Sequence, residues 1–169
     1  MTIPQMLRAL IASNSISSVL PAVDHGNRAV IDLLASWLED VGFRTEIMPL
    51  ADPRKANLIA TLGSGPGGLV LSGHTDTVPC DDSLWRSDPF ALTERDNRFY
   101  GLGTSDMKGF FALAIEAARD FTAKDLQQPL IVLATADEES SMAGARALIE
   151  AGRPRARCAV IGEPTGLRP

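Results

Sequence analysis

Three short apolar segments, each running directly into acidic residues, constrain the fold of this chain most strongly. They are LVLSGHTD, LIVLATADEE and AVIGEP. Short runs of Val, Ile, Leu and Ala are typical of strands in a sheet that is covered on both faces. A further acid, Asp106, lies in the glycine-flanked stretch GLGTSDMKG. The sequence therefore predicts buried strands that carry polar, mostly acidic side chains at their carboxyl ends.

Segments with the spacing of amphipathic helices separate these strands. Helices are predicted at residues 4–12, 26–41, 108–119 and 143–151. Further strands are predicted at residues 43–48 and 57–62, with ADPRKA between them as a turn, and a hairpin at residues 90–93 and 98–100 around ERDN. Because strands alternate with helices, we predict an α/β fold: a three-layer αβα arrangement around a mostly parallel, mixed sheet.

In such a sheet, ligands bind outside the carboxyl ends of the strands. If the strands are adjacent, one crevice collects His74, Asp76, Asp106, Asp137, Glu138, Glu139 and Glu163. So many carboxylates would repel one another unless a cation neutralises them, and Lys108 is the nearby lysine. A divalent metal is the alternative, and one imidazole among carboxylates suits Zn²⁺ better than Ca²⁺ or Mg²⁺. Spacing alone leaves two interpretations open, a catalytic metal site and a solvated acidic cluster.

Each of these residues also has an ordinary structural interpretation. His74 could pair with Asp76 merely to order a loop. Asp106 could be the N-cap of the helix that follows it. Glu163, which precedes a proline, could be a turn residue. Asp137 could hold its loop by hydrogen bonds, and we leave it out of the predicted site.

Charge and cysteine content narrow the class of partner and the compartment. The net charge is −5 and no basic stripe is present, which argues against nucleic-acid binding. Cys80 and Cys158 form no CxxC motif, and reduced thiols are the simplest interpretation. The sequence shows neither the features of a signal peptide nor an apolar run of about 20 residues. We expect a cytoplasmic protein that acts on a small molecule, without nucleic-acid or membrane partners.

Four motifs carry a family resemblance. SGHTDTVP, YGLGTSDMKGFFA, ATADEESSMAGA and IGEPT resemble, in the same order, the metal-site motifs of the M20 family of metallopeptidases and deacylases. The resemblance covers essentially the whole chain and implies a zinc-peptidase-like catalytic domain that hydrolyses amides. The flanking stretch DDSLWRSDPFALTERDNRFYGLGTSDMKG is most similar to members that hydrolyse N-acetyl-L-ornithine to L-ornithine and acetate in arginine biosynthesis.

The resemblance implies a metal site as well. It implies that two divalent metal ions bind, with Zn²⁺ as the first candidate and Co²⁺ as the alternative. His74 and Glu163 would bind the first ion, and Glu139 would bind the second. Asp106 would bridge the two ions, and the peptide bond after it would be cis, as in many relatives.

Two further residues receive catalytic roles from the resemblance. Asp76 would fix the ring orientation and tautomer of His74, a frequent arrangement at metal-bound histidines. Glu138 would be the general base that takes a proton from the attacking water and passes it to the leaving amine. Neighbouring side chains of an extended segment face opposite ways, so the loop must bend for Glu138 and Glu139 to face the same site.

Family members are considerably longer than this chain. They normally insert a lid and dimerisation domain after the region matched here, and then complete the catalytic domain with a last histidine ligand. The resemblance therefore implies that residues 1–169 are the amino-terminal part of the catalytic domain, with an incomplete second metal site and little activity alone, and that full-length relatives are homodimers. Two alternatives stay open: a succinyl-diaminopimelate desuccinylase or dipeptidase of the same family, and a non-catalytic metal-binding or interaction module.

Overall fold

A computed structural model describes residues 1–166 of the chain. The helices are α1 (Ile3–Ala12), α2 (Arg28–Asp40), α3 (Lys108–Ala118) and α4 (Ala143–Ala151), with one 3-10 turn at Asp82–Leu84. The strands are β1 (Arg44–Pro49), β2 (Ala56–Leu62), β3 (Leu69–His74), β4 (Thr93–Arg95), β5 (Arg98–Tyr100), β6 (Leu130–Thr135) and β7 (Cys158–Ile161).

The main sheet has five strands in the order β1-β2-β6-β3-β7. Strand β3 pairs in parallel with both β6 and β7. Strand β2 pairs antiparallel with β1 and with β6, so it runs against the other four strands of this sheet. The predicted α/β fold with a mixed sheet is confirmed, and the carboxyl ends of β3, β6 and β7 meet at one edge.

Helices cover both faces of the sheet. One cluster of buried residues packs α1, α2 and α3 against one face of the sheet, and it includes Leu34 of α2, Phe111 of α3 and Leu58 of β2. A second cluster packs α4 against the opposite face, and it includes Leu148 of α4 and Ile59 of β2. Because side chains alternate along a strand, β2 and β6 contribute to both clusters. The result is the predicted three-layer arrangement.

The hairpin begins later than predicted. Asp96 and Asn97 both have positive φ, 53° and 55°, and form a two-residue turn between β4 and β5. Asn and Asp tolerate this left-handed conformation, which matches the twist of paired strands. Glu94 and Arg95 therefore belong to the first strand instead of to the turn.

Strand β7 lies at the edge of the sheet, and all four of its residues are exposed. Its apolar sequence predicts a buried strand like β3 and β6, but within the described residues β7 pairs with β3 alone. No described helix combines the length and apolarity that crossing a membrane requires. The cytoplasmic location stays a prediction.

Candidate metal centre

His74 is the last residue of β3 and is almost fully buried, with 2% of its surface exposed. Its Nδ1 lies 2.9 Å from the backbone carbonyl oxygen of Asp76. Because a carbonyl oxygen can only accept, Nδ1 carries a hydrogen, and Nε2 faces the acids. Nε2 lies 3.0 Å from Oδ1 of Asp106 and 3.8 Å from Oε1 of Glu163. In neutral His74 the Nε2 lone pair is therefore available to a metal ion.

Asp106 lies in the loop that leads from β5 into α3. Met107 occupies the N-cap position of α3, so the interpretation of Asp106 as the N-cap is wrong. Oδ1 of Asp106 instead lies 3.0 Å from Nε2 of His74, a contact that is a hydrogen bond when the imidazole is protonated at both nitrogens. The peptide bond between Asp106 and Met107 is cis, which confirms that expectation.

Lys108 does not neutralise the acids. Its side chain is buried, and its ammonium group donates to the carbonyl oxygens of Leu10 and Ser13 at 2.8 and 3.0 Å. Burial lowers the pKa of Lys108 to about 8. This lysine links the start of α3 to the end of α1. Neutralising the negative charge of the acidic cluster therefore requires another cation.

The loop after β6 turns sharply at Asp137, whose φ is 59°. The next two backbone amides, those of Glu138 and Glu139, donate to the two carboxylate oxygens of Asp76 at 3.1 and 3.0 Å. Consecutive amides of this kind form a small anion-binding concavity. The carboxylate of Asp76 lies 3.7 Å from Nδ1 of His74, so one buried acid contacts both ligand loops.

The structure brings three predicted ligands together. One ligand atom each of His74, Asp106 and Glu139 lies within 4.8 Å of the other two. Glu163 joins this group through the 3.8 Å approach of its carboxylate to His74 Nε2. Glu138 is exposed beside them. One nitrogen and three carboxylates converging from three strand ends and one loop fit a divalent first-row metal ion.

The electrostatics of the cluster also favour a cation. Burial, followed by the negative charge of Asp106, raises the pKa of Glu139. Burial is also the largest cause of the raised pKa of Glu163, with Asp106 and Glu138 adding to it. Burial opposes protonation of His74, but Asp76, Asp106 and Glu163 outweigh it and raise the pKa of the imidazole. These shifts favour proton binding to the metal-free cluster, and a bound cation would compete with those protons.

A cavity of about 390 Å³ opens beside Asp106 and Glu139 and is also lined by Val78 and Trp85. A small substrate could reach the carboxylates from this side. A larger apolar cavity, about 690 Å³, is lined by Leu69 at the start of β3 and lies at the opposite end of that strand from His74.

The sequence did not predict the roles of three residues: Ser17 and Lys55, which contact Asp137 in the site loop, and Asp24, which pairs with Lys55. Lys55 belongs to the predicted turn ADPRKA, and lysines are seldom buried. It is 7% exposed and binds Asp24 and Asp137. The one available signal is its position directly before the apolar run ANLIATL. Asp137 does hold its loop by hydrogen bonds, as predicted.

A sequence profile for peptidase family M20/M25/M40 matches residues 70–168, more than half of the chain. The chain belongs to this family. The matched segment contains every predicted metal ligand of the site, from His74 to Glu163. The family match thus covers the same residues that the fold brings together at the sheet edge.

Two bacterial M20 relatives, both named acetylornithine deacetylase, are similar over 166 residues. The protein from Pasteurella multocida (strain Pm70) is 57% identical, and the alignment covers 98% of this chain and 44% of the relative. The protein from Klebsiella pneumoniae (strain 342) is 56% identical over 98% of this chain and 43% of the relative. The chain therefore spans less than half the length of these relatives.

Solved M20 structures share the fold. Human carnosine dipeptidase 1 superposes with a TM-score of 0.73 at 25% identity, covering 88% of this chain and 34% of that protein. The M20 family metallo-carboxypeptidase Sso-CP2 from Sulfolobus solfataricus gives a TM-score of 0.75 at 20% identity, over 95% of this chain and 37% of that one. Both matches again cover only part of the longer protein.

Proposed function

We propose that residues 1–169 form the amino-terminal part of the catalytic domain of a metal-dependent amidohydrolase that converts N-acetyl-L-ornithine to L-ornithine and acetate. The observation that carries this proposal is the convergence of His74, Asp106 and Glu139, with Glu163 beside them. The names of the Pasteurella and Klebsiella relatives support the substrate. A role in arginine biosynthesis follows from that substrate.

We assign the metal ligands as the family resemblance implies. His74 and Glu163 would hold one divalent ion, Glu139 a second, and Asp106 would lie between them. Zn²⁺ suits this mixture of one imidazole and several carboxylates, and Co²⁺ is the alternative. When bound, the ions would polarise the substrate carbonyl and lower the pKa of the attacking water.

The chain's own residues would divide the remaining work. Glu138 is exposed, so its carboxylate can reach the attacking water, take its proton and deliver it to the leaving amine. Glu138 directly precedes Glu139 in the chain, and its charge contributes to the raised pKa values of Glu139 and Glu163, which supports this assignment. Asp76 would keep the amides of Glu138 and Glu139 fixed and support the ring of His74.

The rest of the longer protein would supply what this part lacks. The predicted lid and dimerisation domain, the remaining catalytic segment and a last histidine ligand would come from there. Among the described residues, His25 is not part of the group whose ligand atoms converge, so it does not replace that histidine here. We therefore expect residues 1–169 alone to bind one metal ion better than two and to hydrolyse little or no substrate.

The test is a fusion of this chain to the part of the Pasteurella multocida relative that follows the matched region. We expect the metal-loaded fusion to release ornithine from N-acetyl-L-ornithine. In the same fusion, Glu138→Ala should keep the metal and lose turnover by about 10²–10⁴-fold, the usual contribution of a general base. Metal content is measured by mass spectrometry and ornithine by chromatography.

The other outcomes identify the alternatives. A folded, metal-loaded fusion without turnover would indicate a non-catalytic binding module. Faster hydrolysis of N-succinyl-diaminopimelate or of a dipeptide than of N-acetyl-L-ornithine would indicate another M20 enzyme. Rapid turnover by residues 1–169 alone would contradict the incomplete second site.

A further inference from the structure

A buried group of charges lies next to the ligand loop of β6. The ammonium group of Lys55 donates to Oδ1 of Asp24 at 2.9 Å and to Oδ1 of Asp137 at 2.8 Å. The three side chains are between 6% and 9% exposed. We call Asp24, Lys55 and Asp137 the Lys55 clamp. It joins the α1–α2 connection, the start of β2 and the loop after β6, which are distant in sequence.

Asp137 is the residue of the clamp that touches the metal centre's loop. Its Oδ1 also accepts from the hydroxyl of Ser17 at 3.0 Å, and its Oδ2 accepts from the hydroxyl of Ser141 at 3.2 Å. These donors and Lys55 contact both oxygens of its carboxylate. Asp137 is not part of the convergent ligand group, although it lies directly before Glu138 and Glu139.

The clamp also reaches the loop of His74. The backbone amide of Ser17 donates to the carbonyl oxygen of Thr77 at 2.9 Å, and the amide of Thr77 donates to the carbonyl oxygen of Ser15 at 3.1 Å. The hydroxyl of Ser17 contacts that of Ser140 as well. The segment that carries Ser17 thus bonds to the loops of both β3 and β6, whose relative position decides the distance from His74 to Glu139.

Buried charges of this kind are costly unless every partner is present. Lys55 offsets its own burial through its two carboxylates, so the pKa of its ammonium group is raised despite desolvation. Removing the lysine would leave two buried carboxylates without their shared cation, which would favour displacement of Asp137. Movement of Asp137 would carry Glu138 and Glu139 with it.

We propose that Lys55 is a positioning residue of the metal centre, which acts through Asp137 to fix the loop that carries Glu138 and Glu139. Asp76 holds this loop by its amides, and the Lys55 clamp holds it by the side chain of Asp137. The inference rests on the proposed metal centre, and it assigns no direct contact between Lys55 and metal or substrate.

The test is a titration of residues 1–169 with Co²⁺, followed by its visible absorption, which reports the coordination of the ion. We expect Lys55→Met to weaken Co²⁺ affinity by about 10- to 100-fold, as loss of supporting residues does at other metal sites. Its absorption bands should also change in position or intensity. Circular dichroism at the same temperature verifies that the variant is folded.

Arg54→Met is the matched control. Arg54 binds Asp24 from the solvent side, at 3.0 Å, and the remaining hydrogen bonds of its guanidinium group go to Asp52. We expect this variant to keep the parent's Co²⁺ affinity and spectrum. Ser17→Ala removes one hydrogen bond to Asp137 and should weaken binding by about two- to tenfold.

Each result has one meaning. A folded Lys55→Met variant with the parent's affinity and spectrum overturns the inference, and so does an equal loss in Arg54→Met. If Lys55→Met does not fold, Ser17→Ala decides, and unchanged binding in that variant overturns the inference. Absence of Co²⁺ binding by the unmodified chain would overturn the metal centre itself and the clamp with it.

Discussion

Two central strands and one edge strand lead into the metal centre, and they differ sharply in pairing and exposure. Strands β3 and β6 pair on both sides, and their ligand loops are bonded to each other through Asp76. Strand β7 pairs on one side and is exposed throughout. His74 is 1% exposed at its side chain, against 39% for Glu163. Ligands on central strands are thus fixed by backbone contacts before a metal binds, whereas Glu163 has much less support.

The comparison can first be tested by stability. Ile131 in β6 is 5% exposed and Ile161 in β7 is 66% exposed. We expect Ile131→Ala to lower the free energy of unfolding by about 2–5 kcal/mol, because it leaves a cavity in a packed layer. Ile161→Ala removes the same atoms and should cost less than about 0.5 kcal/mol. Urea unfolding measures both, and similar losses would show that β7 is not a weakly packed edge.

Asp76 is the contact that joins the two central loops. Replacing it with alanine leaves the amides of Glu138 and Glu139 without their acceptor. We expect Asp76→Ala to weaken Zn²⁺ affinity by about 10- to 100-fold, measured by calorimetry. Asp76→Asn keeps one acceptor oxygen and should lose less. Equal affinity in the parent and both variants would remove Asp76 from the set of residues that order the site.

The ligands themselves provide a sharper form of the comparison. We expect Glu139→Ala to lower the affinity for the Zn²⁺ ion that Glu139 would hold by a larger factor than Glu163→Ala lowers the affinity for the ion shared with His74. The difference should be about two- to tenfold, since a preorganised ligand does not pay the entropy of ordering a long side chain. The reverse order would mean that the edge strand presents the stronger ligand.

The pH dependence of stability tests the titratable groups that the central strands and the edge strand contribute to the metal centre. In the metal-free chain the pKa values of His74, Glu139 and Glu163 are raised, so these three groups bind protons more tightly in the folded state than in the unfolded state. Their contribution to the stability of the metal-free chain therefore falls as pH rises through these pKa values. Zn²⁺ needs the deprotonated groups, so the rise in Tm on adding Zn²⁺ should be larger at pH 7.5 than at pH 5.5. Thermal scans with and without Zn²⁺ measure this, and an equal rise at both values would contradict the raised pKa values.

Local patterns predict the order and type of the elements. Helix α4 was predicted at its observed bounds because its apolar residues keep helical spacing up to Gly152, whose φ is 63°. The strand ends and the acids that follow them were visible for the same reason. Roles within the cluster came from the family motifs, since spacing alone did not separate a metal site from a solvated acidic loop.

Long-range contacts explain what the sequence did not predict. Lys55 lies next to a turn by local pattern, and its burial depends on Asp24 and Asp137, 31 and 82 residues away. The bend of the loop that carries Glu138 and Glu139 depends on Asp76, 62 residues before Glu138. Exposure of β7 depends on its place in the sheet order, which its apolar sequence does not encode.

The most direct test of the metal centre is a Co²⁺ titration of residues 1–169 beside its His74→Ala variant. His74 supplies the one nitrogen in the cluster, and its Nε2 faces Asp106 and Glu163. We predict about one tightly bound ion per unmodified chain, and binding weakened by at least about 100-fold in the variant. An unmodified chain that binds no Co²⁺, or a His74→Ala variant that binds it equally well, would contradict a metal centre at these strand ends.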